Sequence, residues 1–338
     1  MAPSVHGDEC RRMTDPSTPE MPRALRGHPR LAAYVRESHA IHRRADLGDG
    51  RLAALHAWQL LMTNDGCFTA LTSAEVRRWW LPPIPSAAPI FMAMGLDDPR
   101  PMRPGVRTSR HTRVIAREEI DGLRVASVAE TLLACARWVC LIDLVVLIDG
   151  VLHTEQCSVE DVKAVLGRKR PGSRALERAL ALADKRSESP YETLMRLLHV
   201  LCGIEVEPQY VIRNASGDEV ARVDLWIVGT DAAPEFDGDE HEKAPRRVKD
   251  RRRDRAIDRA GYVRRGYTAG DILYRAVTVL EDADRSVGRA HDPSRVRAWH
   301  DELRKSLFTA SGQQAFLARA TPRVSRRLGT PSGSDDAA

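Results

Sequence analysis

Two short runs, VARVDLWIV at residues 220–228 and PEFDGDEH at residues 234–241, decide how the carboxy-terminal half of this chain is interpreted. The first run is rich in β-branched residues and predicts a strand, with Asp224 in the middle of its apolar side chains. The second predicts another strand. Because successive strand residues alternate faces, Glu235 and Asp237 should point to the same side. Asp224, on a neighbouring strand of one mixed sheet, can then meet them.

The residues on either side predict an α/β fold with the element order α, β, β, β, α, β. Ser189 is suited to the N-cap of the first helix, Pro190 to its first position, and Gly203 to its end. A polar turn at 214–218 joins two strands into a hairpin, and Gly261 stops a strongly charged helix. The expected elements are a helix from Pro190, strands at 209–213, 220–228 and 234–238, a helix at 245–260 and a strand at 262–267.

Acidic residues gather in this segment, and they suggest a cation. The four candidates are Glu192, Asp224, Glu235 and Asp237. At a separation of about 4 Å and an effective dielectric constant of about 20, two carboxylates repel by about 4 kcal/mol. A divalent cation would neutralise their charges and remove this repulsion. Mg²⁺ prefers oxygen ligands and keeps waters, which leaves room for a phosphate oxygen and a nucleophilic hydroxide. In the alternative interpretation, Asp224 pairs with Arg222 or Arg213 and the other acids are solvated.

The order of these motifs is similar to that of a known family. The motifs are Ser189-Pro190-Tyr191-Glu192, Arg222-Val223-Asp224-Leu225, Glu235-Phe236-Asp237-Gly238-Asp239-Glu240-His241, Lys249-Asp250-Arg251-Arg252-Arg253-Asp254 and Gly261-Tyr262-Val263-Arg264-Arg265. They resemble bacterial proteins of largely unassigned role that are related to very-short-patch DNA mismatch-repair endonucleases. The resemblance implies a PD-(D/E)XK core with Asp224 and Glu235 as ligands of Mg²⁺ or Mn²⁺. It makes Glu192 a supporting acid near the metal-bound water.

The general base is the point where the chain departs from the usual PD-(D/E)XK pattern. Many such nucleases place a lysine two residues after the second acid, where this chain has Asp237. His241 is the preferred candidate, since an unperturbed histidine pKa of about 6.5 suits proton transfer. Lys243 is a second candidate if its loop folds back. In the alternative interpretation, His241 is structural.

Positive charge is concentrated beside the acids. From His241 to Arg265 there are eleven Lys or Arg and four Asp or Glu, whereas the whole chain has a net charge of +5. The predicted DNA-contacting residues are Arg246, Arg247, Lys249, Arg251, Arg252 and Arg253. Contacts to phosphates supply most non-specific DNA affinity, so we expect this helix to follow a DNA backbone. The alternative is a solvated helix face with i,i+4 ion pairs.

The 338 residues are enough for two domains, and we expect a boundary between about residues 168 and 188. The predicted parts are a tail at 1–24, a mixed α/β domain at 25–170, a nuclease-like domain at 186–285, helices at 286–320 and a tail at 321–338. Within the mixed domain we expect strands at 90–94 and 106–111 and helices at 51–62, after Ser127 and at 138–152. Another helix should begin at Thr72, the first residue of a capping box, and a further one should lie at 173–183, in the boundary region.

The amino-terminal part resembles the domain that precedes such nuclease modules in actinobacterial proteins, which are often grouped with abortive-infection type IV antitoxins. The resemblance implies a winged helix-turn-helix near residues 23–49, although that segment shows no clear pair of amphipathic helices. The six cysteines form no C-x-x-C pair and no signal peptide precedes them, which favours a reducing cytoplasm. The most apolar run, residues 138–152, is too short to span a membrane.

Two functions follow from the sequence. The first is a Mg²⁺-dependent DNA endonuclease or nickase, which needs the full set of acids. The second is a DNA-binding transcriptional regulator or antitoxin that uses an inactive nuclease fold as a binding module. DNA is the expected partner of both, and the sequence leaves open a homodimer or a partner protein.

Overall fold

The computed structural model describes residues 21–167, 170–238 and 244–321, with the backbone alone for 244–251. The chain forms two compact units, one ending at Leu61 and the other beginning at Met62. In the first unit, strands β1 (Ala24–Arg26), β2 (Tyr34–Ser38) and β3 (Ile41–Arg44) form an antiparallel sheet in the order β1-β3-β2. A 3-10 turn (Ala45–Leu47) and helix α1 (Arg51–Gln59) follow.

The first unit differs from the winged helix-turn-helix expected near residues 23–49. That described segment holds three strands and a 3-10 turn, with no pair of helices. The hairpin β2–β3 turns through Ala40, whose φ is +55°. Helix α1 confirms the helix predicted from residue 51.

The second unit begins with a mixed five-stranded sheet in the order β6-β5-β4-β8-β7. Its strands are β4 (Cys67–Phe68), β5 (Ile90–Gly95), β6 (Val106–His111), β7 (Arg117–Ile120) and β8 (Leu123–Ala126). The helices of this part are α2 (Ala70–Val76), α3 (Val128–Cys135), α4 (Leu141–His153), α5 (Val159–Leu166) and α6 (Ser173–Leu180). The strands predicted at 90–94 and 106–111 are therefore confirmed, and pair in parallel.

The capping box predicted at Thr72 is wrong. Helix α2 begins at Ala70, with Thr69 at the N-cap position and Thr72 inside the helix. Thr72 is fully buried, and its hydroxyl accepts a hydrogen bond of 2.9 Å from the backbone N–H of Phe91. The threonine thus joins the helix to strand β5 instead of capping it.

The segment from residue 190 has the predicted element order. It comprises α7 (Pro190–Leu201), β9 (Val206–Arg213), β10 (Glu219–Ile227), β11 (Ala232–Phe236), α8 (Ala244–Arg259) and β12 (Val263–Tyr267). The Ser189 side chain accepts from the Glu192 N–H, as expected of an N-cap. Strands β9 and β10 form an antiparallel hairpin, whereas β11 and β12 pair in parallel across α8. Their backbones form two separate two-stranded sheets, where one mixed sheet was expected.

The last part of the chain is helical, with α9 (Ala269–Tyr274), α10 (Ala276–Ser286), a 3-10 turn (Pro293–Val296), α11 (Arg297–Leu303) and α12 (Ala310–Ala320). These helices share one hydrophobic core with α4 and α7, through residues such as Leu147, Leu197, Trp299 and Phe316. The buried ion pair of Asp149 with Arg196, at 2.7 Å, also joins α4 to α7.

The two compact units divide between Leu61 and Met62. Residues on both sides of the boundary expected at 168–188 contribute to the same hydrophobic core. The apolar helix expected at 138–152 is confirmed as α4, whose residues from Ile142 to Leu152 are all buried. Among the described residues, no helix is both long and apolar enough to cross a membrane.

Candidate active site

Glu235 lies at the carboxyl end of β11, only 4% exposed, between two arginines. Arg253 of α8 donates to both of its oxygens, with Nη1 3.0 Å from Oε2, and Nε of Arg264 on β12 donates to Oε2. The parallel pairing of β11 with β12 and the crossover of α8 between them bring the three side chains together. Burial alone would raise the pKa of Glu235, but the hydrogen bonds from Arg253 and Arg264 lower it below its usual value.

Asp224 occupies the centre of β10 and is half-buried. Its Oδ2 accepts a hydrogen bond of 2.8 Å from the backbone N–H of Phe236, which links β10 to β11. Its Oδ1 has no hydrogen-bond partner among the described residues. Burial and the negative charges of Glu192 and Glu235 together raise the pKa of Asp224 to about 7, against the lowering effect of the Phe236 hydrogen bond and of the Arg253 charge. Asp224 is therefore a carboxylate whose charge the surrounding side chains do not fully compensate.

Glu192 reaches this region from the first turn of α7. Its Oε2 accepts from the backbone N–H of Glu188 at 2.8 Å and from Nε2 of Gln209 at 2.9 Å. Because its charge raises the pKa of Asp224, the two carboxylates lie within electrostatic reach of each other. The structure thus brings together Glu192, Asp224 and Glu235.

Gln209 is a member of the site that the sequence did not reveal. It lies within β9, between the pairs Tyr210–Val223 and Pro208–Leu225, and hence opposite Asp224. Its φ is +54°, a left-handed conformation that is uncommon for any residue with a side chain. Such strain persists only where the surrounding structure holds it, often at functional sites. A glutamine in a β-rich run carries no signal of this kind in the sequence.

Asp237 follows the end of β11 and is exposed, yet it has a defined partner. Its Oδ1 accepts from Nη2 of Arg264, which therefore bridges Asp237 and Glu235. The Asp237 carboxylate also lies directly over Gly266 of β12, where an added Cβ would come within 1.8 Å of Oδ2. Only glycine at this position leaves the carboxylate where it is.

Part of the predicted site lies outside the described residues. His241 and Lys243 are not described, nor are the side chains of Arg246, Arg247, Lys249 and Arg251, although the backbone of α8 includes those four. Arg252 is exposed, as a DNA contact requires. Arg253 instead turns towards the site, where it contacts Glu235 and donates to the carbonyl of Arg222 at 2.7 Å.

The donors fit a divalent cation at Asp224. Carboxylate oxygens are the ligands that Mg²⁺ and Mn²⁺ favour, and Asp224 combines uncompensated charge with an oxygen that has no partner in the described ranges. Glu192 is the nearby second acid. At Glu235 a cation would compete with two guanidinium groups. Within residues 21–167, 170–238 and 244–321, no three His, Cys, Asp or Glu side chains already form a metal-holding group.

Comparison with known proteins adds no relative to these observations. No protein-family model, no curated protein and no solved structure matches the chain.

Proposed function

We propose that this chain is a Mg²⁺- or Mn²⁺-dependent DNA endonuclease or nickase, built on a PD-(D/E)XK core formed by α7, β9–β12 and α8. One observation carries the proposal: Asp224 is a half-buried carboxylate with a raised pKa, next to two further acids, and its Oδ1 accepts no hydrogen bond from the described part of the chain. A partly buried carboxylate whose charge is not compensated lowers stability, and a bound cation would compensate it.

The residues around Asp224 have complementary roles. The hydrogen bond from Phe236 orients the carboxylate, and the amide of Gln209 orients that of Glu192. In this arrangement Asp224 and Glu235 hold the cation, and Glu192 supports a water beside it. When bound, the cation supplies a Lewis acid for the phosphate oxygen and lowers the pKa of a coordinated water.

Arg253 and Arg264 balance the charge of Glu235 in the absence of a cation. Arginine is also the side chain best matched to a phosphate group, through its planar fork of donors. These two guanidiniums therefore border the position that a scissile phosphate would take. The general base in this proposal is His241, and Lys243 is the second candidate.

Helix α8 supplies the surface for the DNA backbone. Arg252, Arg255 and Arg259 are exposed, and no ion pair joins them to another described residue. Arg246, Arg247, Lys249 and Arg251 add positive charge to the same helix. Contacts of this kind bind duplexes without regard to sequence.

The pairing of Glu235 favours a second candidate function. Its carboxylate is already satisfied by two arginines, so the core is complete without a metal at that residue. A DNA-binding regulator or antitoxin needs only such a stable core and the positive charge of α8. It would bind DNA and show no turnover.

A cleavage assay separates the two. Purified full-length protein with Mg²⁺ or Mn²⁺ should nick or cut a panel of duplex, mismatched, flap and single-stranded DNA, and Asp224→Asn should abolish cutting while DNA binding remains. Asp231→Asn is the matched control, since this exposed residue precedes β11 and lies outside the site. Wild-type protein that cuts none of these substrates and binds no divalent cation by calorimetry would exclude the endonuclease, and DNA binding by the same protein would support the regulator.

A further inference from the structure

A second polar site lies on the five-stranded sheet, in the part of the second unit that the proposed nuclease site does not use. It is a cavity of about 250 Å³ between β6, α3 and the chain that precedes α6. Its polar wall includes Ser109, Arg110, His111, Glu130, Arg137 and Arg170. None of the acids of the candidate active site lines it.

The charges of this wall do not balance. Glu130 is the single carboxylate among the described residues that line the cavity, and it is already bound by two arginines. Arg113 donates to its two oxygens at 2.9 and 3.0 Å, and Arg170 at 2.7 and 3.1 Å. Arg137 and Arg110 form no ion pair with any described carboxylate. The cavity therefore has an excess of positive charge.

The hydrogen bonds of three wall residues, Ser109, His111 and Arg170, are defined in the structure. Nε of Arg170 is buried and has no acceptor among the described residues, which costs about 1–3 kcal/mol for a donor left unsatisfied. The Ser109 hydroxyl donates to the Met92 carbonyl at 3.2 Å and lies 3.0 Å from Nε2 of His111, so it is already hydrogen-bonded. Burial, together with the charges of Arg113 and Arg137, lowers the pKa of His111, so that its ring is neutral at pH 7.

We propose that this cavity binds a phosphate group. Guanidinium groups bind phosphate through paired, charge-assisted hydrogen bonds, and an anion in the cavity would compensate the excess charge of Arg110 and Arg137. The phosphate comes either from a DNA backbone or from a free phosphate ion. The proposal does not depend on the nuclease site, because it uses different residues on different elements.

Calorimetric titration of the full-length protein with inorganic phosphate is the first test. Wild-type protein should bind phosphate, and Arg137→Gln should weaken binding at least tenfold. Arg110→Gln is a second variant that should also weaken phosphate binding. Arg110 is exposed, and its described hydrogen bond is to the Asp98 carbonyl, so its charge is not paired there. Arg178→Gln should bind as wild type does, because Arg178 is an exposed arginine of α6 that does not line this cavity. Thermal unfolding confirms that each variant is folded.

The source of the phosphate is tested with a short duplex in EDTA over a range of salt concentrations. If the cavity holds a DNA phosphate, Arg137→Gln should reduce the slope of log affinity against log salt by about 0.9 for the lost contact. If the slope is unchanged and inorganic phosphate binding is lost, the ligand is the free ion. If neither phosphate binding nor the salt slope differs between wild type and both arginine variants, the cavity is not a phosphate site.

Discussion

Nε2 of Gln209 donates a hydrogen bond of 2.9 Å to Oε2 of Glu192, and does so from a backbone with a φ of +54°. The contact joins strand β9 to the first turn of α7, beside Asp224. A residue held in a strained conformation and hydrogen-bonded to a candidate catalytic acid indicates that the fold maintains this geometry against a local cost.

That cost can be measured by comparing two substitutions that both remove the amide. Gln209→Gly should be more stable than Gln209→Ala by about 1 kcal/mol, because glycine adopts a positive φ without penalty. At Val211, a residue of the same strand without a positive φ, alanine should instead be the more stable replacement. Urea denaturation of the four variants gives the comparison. Equal stability of the two Gln209 variants would mean that the position is not strained.

The raised pKa of Asp224 predicts how stability depends on pH. A carboxyl whose pKa rises from 3.8 to about 7 on folding binds its proton more tightly in the folded state, so its contribution to stability falls as pH rises from about 4 to about 7. The Asp224→Asn variant has no ionisable carboxyl at this position, so it does not lose stability in this way. Relative to wild type, its free energy of unfolding should increase over that window, by at most about 1.4 kcal/mol per pH unit.

Denaturation at pH 5 and at pH 8 measures the difference, and parallel profiles for the two proteins would contradict it.

A bound cation should reverse the effect in wild type alone, because it stabilises the ionised carboxylate. We therefore expect Mn²⁺ to raise the thermal midpoint of wild type and to leave that of Asp224→Asn unchanged.

Removal of one arginine from Glu235 should separate charge balance from metal binding. Arg264→Gln leaves Glu235 with Arg253 alone and Asp237 with no described partner, so we expect a loss of about 2 kcal/mol of stability. If Glu235 is a metal ligand, the same variant should bind Mn²⁺ more tightly than wild type, because a competing cation is gone. Arg265→Gln, which loses a pair with Asp282 instead, is the matched control.

A side chain added at Gly266 should displace the Asp237 carboxylate. In Gly266→Ala the new Cβ would collide with the Asp237 carboxylate and displace it from Arg264, which should cost about 1 kcal/mol. The double variant Gly266→Ala, Asp237→Ala should recover part of that loss. Gly238→Ala is the control, since its added Cβ meets nothing closer than a Phe236 ring carbon at 3.7 Å. Additive effects of the two substitutions would rule out the contact.

The charge of α8 predicts salt-dependent DNA binding. Arg247→Glu with Arg251→Glu should weaken duplex binding similarly for all sequences and reduce the salt slope by about 2, since each phosphate contact contributes about 0.9. Arg178→Glu with Arg297→Glu reverses two exposed arginines outside α8 and should change the slope less. An unchanged slope in the α8 variant would place the DNA elsewhere.

The local pattern of the sequence was enough to predict most elements. Ser189 and Pro190 mark the start of α7, the turn residues mark the β9–β10 hairpin, and the apolar run at 138–152 marks a buried helix; the structure confirms all three. Local hydrogen bonds, turn geometry and hydrophobic periodicity depend on residues close in the chain, and these a sequence displays. Thr72 shows the limit, because its hydroxyl bonds to Phe91 and not to its own helix.

The tertiary structure alone decided what surrounds each acid. The sequence pointed to Glu192, Asp224 and Glu235 as a group, but it could not show that Arg264, 29 residues from Glu235, binds that carboxylate. Nor could it show that Gln209 is strained beside Glu192, or that one core covers both sides of residues 168–188. Burial and charge pairing depend on which distant residues meet, and their energies are set by the folded environment and not by the order of residues along the chain.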